Sequence, residues 1–140
     1  MTMLSSPNST LRVLIVDDHE LTRFSLKLAL QKEPAIELVG SASNGQEAID
    51  VVKQHHPDVI VIDLQMPVMD GISASIHIKQ IDPKIQIIAY SSLEDPQTEV
   101  MVQTGSIDAF CKKDIPMPEL IKTITDLGMK ANQDQGDSNS

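Results

Sequence analysis

Val59-Ile60-Val61-Ile62-Asp63 is an apolar run closed by a carboxylate, and Leu64-Gln65-Met66-Pro67-Val68-Met69-Asp70-Gly71 follows it. Successive β-branched residues without alternation suit a strand buried on both faces. A charge at the end of such a strand is costly unless something there uses it. Leu11-Arg12-Val13-Leu14-Ile15-Val16 repeats the arrangement and ends in Asp17-Asp18. If the two strands are neighbours, three carboxylates meet at one edge of a sheet. Taken alone, Asp17-Asp18 reads as a solvated turn or a helix cap; its pairing with Asp63 makes it a candidate site.

Working outward, short apolar runs alternate with longer mixed segments. Strands are expected at Leu11–Val16, Ile36–Ala42, Val59–Leu64, Ile85–Ser91 and Ala109–Lys113. Helices are expected at Glu20–Lys32, from an Asn44 cap to about His55, at Gly71–Ile81, at Pro96–Thr104 and at Pro118–Met129. Leu21, Phe24 and Leu28 share one face of the first helix. Five alternating strands and helices imply βαβ units and a parallel sheet covered on both sides. The expected fold is a flavodoxin-like (βα)5 three-layer sandwich with strand order 2-1-3-4-5. In that order the ligand-binding switch point lies between strands 1 and 3. Asp17, Asp18 and Asp63 all fall there.

The chain has 140 residues, a net charge of −9 and one cysteine, with 41% hydrophobic and only 2% aromatic residues. One domain is expected over 11–129, with a flexible segment at 1–10 and a disordered tail at 130–140. Aliphatic side chains must fill the core. The negative surface disfavours direct nucleic-acid binding. No stretch reaches the roughly 18 apolar residues of a membrane span, and a cytoplasmic protein is expected. Cys111 is expected to be a buried thiol.

Three crowded carboxylates repel one another, and a hard dication such as Mg2+ relieves that repulsion. Asp63 could then attack phosphorus and form an aspartyl phosphate. Strand 4 ends in Tyr90-Ser91-Ser92 and strand 5 in Cys111-Lys112-Lys113-Asp114, which offer a hydroxyl and a cation for the phosphoryl charge.

At this point the chain resembles the receiver domain of two-component response regulators, and within it the NarL/FixJ-like subfamily. The carrying residues are Val16-Asp17-Asp18-His19, Asp63-Leu64-Gln65-Met66-Pro67 with Asp70-Gly71, Ser91-Ser92, and Asp108 through Asp114. The resemblance implies Asp63 as phosphoacceptor. It implies Asp18, Asp63 and the backbone carbonyl of Gln65 as direct ligands of Mg2+ (with Mn2+ able to substitute), and Asp17 as a ligand through water. Ser91, favoured over Ser92, would be the switch hydroxyl and Phe110 the switch aromatic. Lys113 would be the phosphate-clamping lysine, with Lys112 the alternative. His19 reads as an exposed residue opening the first helix.

The function expected from this is acceptance of a phosphoryl group from a histidine kinase or phosphotransfer protein. That would reset a surface for a downstream protein partner, with homodimerisation as one form of output. The chain would not be an enzyme beyond weak autophosphatase activity. One rival is a Mg2+-dependent phosphohydrolase, but its second acid is replaced here by Gln65, which cannot donate a proton as an acid. Another is an interaction module that has lost phosphorylation. A receiver cut from a longer DNA-binding regulator is also compatible with the sequence.

Overall fold

The computed structural model describes residues 10–92 and 96–138. The expected flexible segment, save Thr10, lies outside the described residues, as do 139–140. The elements are β1 Leu11–Val16, α1 Glu20–Gln31, β2 Ile36–Ala42, α2 Gly45–His55, β3 Val59–Ile62, α3 Gly71–Ile81, β4 Gln86–Ser91, α4 Pro96–Thr104, β5 Ala109–Lys112 and α5 Met117–Ser138. The five strands are parallel in the order β2-β1-β3-β4-β5. This is the flavodoxin-like sandwich expected from the sequence.

Strand alternation divides the core into two layers. Leu14, Val16, Ile60, Ile62, Ile87 and Ala89 pack with Ala48, Ile49 and Val52 of α2 and Ala74 and Ile78 of α3. Val13, Ile15, Val59, Val61 and Ile88 pack with Leu26 and Leu30 of α1 and Leu120 and Ile124 of α5. The three inner strands, β1, β3 and β4, therefore bury both faces, which is why their sequences do not alternate.

Local chemistry sets the helix starts. The Asn44 side chain caps α2 by accepting from Glu47 N at 3.0 Å, and Glu47 Oε1 reaches back to accept from Ser43 N, just before the cap, at 2.9 Å. Asp70 caps α3 by accepting from Ser73 N at 2.7 Å.

Three differences from the sequence expectation have physical reasons. β3 stops at Ile62 rather than Leu64, because the Leu64 carbonyl accepts from Gly71 N at 3.1 Å and turns the chain away from the sheet. The face of α1 carrying Leu21, Phe24 and Leu28 is exposed, and Leu26 and Leu30 face the sheet instead. α5 runs to Ser138, past Met129 and into the segment expected as a tail; no proline follows Met129 to stop it.

Val68 has φ 71° and is 85% exposed. A β-branched residue is strained in this left-handed region and buries little there. Val68→Gly should therefore stabilise the fold by up to about 1 kcal/mol, net of the extra chain entropy of glycine. A higher urea midpoint at unchanged slope is the expected readout; a lower midpoint would contradict it.

Candidate functional site

The register Val16↔Ile62 aligns the ends of β1 and β3. Asp63 N donates to the Val16 carbonyl at 2.9 Å, so Asp17 and Asp63 leave the sheet side by side. Both are buried, at 1% and 3% exposure. On the other side of β3, β4 ends at Ser91 and pairs with β5 through Ser91↔Lys112. One further backbone bond, Lys113 N to the Ser91 carbonyl at 2.9 Å, carries the chain to Lys113.

Lys113 is the lysine that reaches the acids. Its Nζ lies 2.8 Å from Asp17 Oδ2 and 3.3 Å from Asp63 Oδ2. Lys112 is exposed. Alternation along the strand end thus separates two residues that are chemically identical in sequence. The Tyr90 hydroxyl donates to the Lys113 carbonyl at 3.4 Å from a buried position, tying the lysine's backbone to β4. Tyr90 is not among the residues the sequence marks for the site.

Charge is finely opposed here. Burial pushes the Asp63 carboxyl above the ordinary carboxylate range. The Gln65 N–H, donating to Asp63 Oδ1 at 3.0 Å, lowers it; the Asp17 charge raises it and Lys113 lowers it. Burial also pulls the Lys113 ammonium down, but hydrogen bonding and attraction from Asp17, and then Asp63, outweigh this and leave it raised. Lys113→Ala should destabilise the metal-free protein by on the order of 2 kcal/mol, because two buried carboxylates lose their countercharge. Lys112→Ala should stay within about 0.5 kcal/mol, as exposed substitutions do. Paired urea-unfolding curves check this, and equal losses would refute it.

Two residues join the site that the sequence reading left outside it. His19 is exposed and precedes α1, as expected, but its Nδ1 lies 2.9 Å from Asp17 Oδ1 and 3.3 Å from Asp18 Oδ1. Arg23 Nη1 donates to the Asp17 carbonyl at 2.6 Å. His19 directly follows Asp18, and that adjacency is the local signal for its place beside the acids.

The loop after Asp63 is held tightly. A Cβ built on Gly71 would fall 2.1 Å from the Asp63 carbonyl oxygen and 2.7 Å from Leu64 Cα. The Asp70-Gly71 pair thus supplies a cap and a position without a side chain. Among the remaining candidates, Ser91 is buried at the end of β4 while Ser92 is exposed. Phe110 is half-buried on β5 and packs against the α2–α3 core layer. Cys111 is buried, and burial pushes its thiol up, away from reactivity.

The residues fit a dication. Ligand atoms of Asp17, Asp18, His19 and Asp63 all lie within 4.8 Å of one another. Asp18 Oδ1 is covered by protein yet accepts no hydrogen bond from the described residues. A buried acceptor in that state costs free energy that a cation would recover.

Residues 13–125 match the response regulator receiver domain family. The chain belongs to that family. Receiver domains are phosphorylation-dependent switches of two-component systems, and they bind Mg2+ through acidic residues such as those clustered here. This receiver is 39% identical over 107 residues to the transcriptional regulatory protein LiaR of Bacillus subtilis, covering 73% of the chain and 49% of LiaR. It is 35% identical over 121 residues to a protein-glutamate methylesterase/protein-glutamine glutaminase of Rhodospirillum centenum, covering 86% of the chain and 30% of that protein. It superposes with a TM-score of 0.80 and 25% identity on a LuxR-family two-component response regulator from Aurantimonas sp. SI85-9A1, covering 87% of each chain. The receiver therefore spans less than half the length of these two curated relatives. Among the described residues, no helix is long and apolar enough to cross a membrane.

Proposed function

We propose that this receiver accepts a phosphoryl group on Asp63 from the phosphohistidine of a histidine kinase or phosphotransfer protein. The observation that carries the reading is the convergence of Asp17, Asp18, Asp63 and Lys113 at the ends of β1, β3 and β5. An Asp63 oxygen attacks phosphorus, the phosphorus–nitrogen bond breaks, and the imidazole leaves with the electron pair and takes up a proton. Lys113 already lies 3.3 Å from Asp63 Oδ2 and holds the phosphoryl oxygens as a point charge.

Asp18, Asp63 and the Gln65 carbonyl are the residues that would hold Mg2+ or Mn2+ directly, with Asp17 acting through water. When bound, the ion neutralises charge on the acids and the phosphoryl oxygens. Ser91 supplies the hydroxyl that turns toward the modified Asp63. Phe110, half-buried at the sheet edge, turns inward and repacks the surface of α4, β5 and α5. This is a local charge biasing a bistable element. A downstream protein, or a second copy of the chain, reads that surface in the cytoplasm. The domain is not an enzyme in the ordinary sense; water slowly resets it.

The phosphohydrolase reading is weaker, because Gln65 occupies the position where such an enzyme needs a second acid. Incubation with acetyl phosphate and Mg2+ separates the two. Intact mass should rise by one phosphoryl group, in an adduct stable to acid and labile to base. No adduct would overturn the proposal, and steady turnover of ordinary phosphomonoesters would favour the hydrolase.

A further inference from the structure

His19 is the one ring nitrogen among the described residues that reaches the carboxylate cluster. Its Nδ1 lies 2.9 Å from Asp17 Oδ1, 3.3 Å from Asp18 Oδ1 and 3.8 Å from Asp63 Oδ2. The backbone holds it there. His19 is extended, with φ −87° and ψ 114°, just before α1, and its own N–H donates to Asp17 Oδ1 at 2.8 Å. Arg23, one turn into α1, fixes the same corner through the Asp17 carbonyl. The imidazole is 61% exposed, so an ion can reach it without opening the core.

We propose that His19 is a nitrogen ligand of the dication held by the acids, turning an all-oxygen Mg2+ site into a mixed-donor site that favours Zn2+ and Co2+. The inference rests on reading the carboxylates as a cation site and adds to it a residue that sets which ion is preferred. Geometry permits it. Two donors about 2.1 Å from one ion stand at most about 4.2 Å apart, and His19 Nδ1 lies no more than 3.8 Å from an oxygen of each of the three acids. Chemistry gives it direction. Imidazole suits zinc and other late divalent metals, whereas Mg2+ takes oxygen donors and keeps its waters. Removing His19 should therefore cost the transition ions far more than it costs Mg2+.

The other three histidines, His55, His56 and His77, are exposed and could bind zinc on their own. The test therefore uses the full chain with His55→Gln, His56→Gln and His77→Gln, with and without His19→Asn. Mg2+, Zn2+ and Co2+ are each titrated alone by calorimetry, and circular dichroism confirms folding. Loss of His19 should weaken Zn2+ and Co2+ by about tenfold or more and shift Mg2+ by less than about twofold. Zinc should also displace the His19 ring 15N resonances in the chain that retains it. An equal loss for all three ions would show that His19 only orients Asp17 and would overturn the proposal, as would unchanged Zn2+ and Co2+ affinities. Asp18→Asn tests the underlying reading separately: it should weaken all three ions, and no change would overturn the cation site itself.

Discussion

Asp63→Asn is expected to abolish the phosphoryl adduct completely and, in the absence of divalent cations, to make the protein more stable at neutral pH. The first effect follows from chemistry: an amide oxygen does not displace an imidazole from phosphorus. The second follows from the site's electrostatics. Burial raises the Asp63 pKa in the folded state above its unfolded value. The folded protein then binds the proton more tightly than the unfolded chain does. Stability is greatest below the unfolded pKa, falls as pH rises toward the folded pKa, and stays reduced above it. Asparagine removes that penalty and can still accept from Gln65 N. The gain should be on the order of 1 kcal/mol at pH 7 and should vanish in acid. Thermal or urea unfolding followed from neutral pH down to below the ordinary aspartate pKa of about 3.9 reads it. A mutant less stable than wild type at pH 7 without metal would refute the electrostatic account. An adduct of undiminished yield would refute the assignment of Asp63.

Gly71→Ala should cost the fold more than about 3 kcal/mol, at the severe end for one methyl group. The added carbon would lie 2.1 Å from the Asp63 carbonyl oxygen, and neither that oxygen nor Leu64 Cα, at 2.7 Å, belongs to a side chain that can swing aside. Relief requires moving the backbone that aims Asp63, so phosphorylation should fall with stability. The same change at Gly105 would meet no atom within 4 Å and faces only its φ of 85°. Urea midpoints of the two variants should therefore differ widely. A Gly71→Ala protein as stable as the Gly105→Ala protein would show that the loop after Asp63 yields easily.

The layered fold was legible because β1 and β3 carry unbroken apolar runs and proline or glycine punctuates most segments. The bounds of α3 and α4 matched the expectation, since Asp70-Gly71 and Gly105 mark them in sequence. The acids were legible because each closes a strand. Other features depend on tertiary relations. α1 has apolar residues on two sides, and periodicity alone does not say which side meets the sheet. The choice of Lys113 over Lys112 comes from the family resemblance, and the β4–β5 register is what carries Lys113 to the acids. His19 looked like a surface residue because it is one; only the closeness of its ring to three carboxylates gives it another reading.

Asp63 and Lys113 are 50 positions apart in the chain, joined only through two further parallel pairings. During synthesis the acids emerge long before the lysine that balances them. Until β5 docks, the β1–β3 edge carries buried like charges with no protein cation between them, a state that resists completion. Parallel, non-local pairings of this kind are also slow to close. On the proposed reading, the ability to take a phosphoryl group belongs to the completed sheet, and the onset of acetyl phosphate labelling in a refolding experiment should mark the docking of β5.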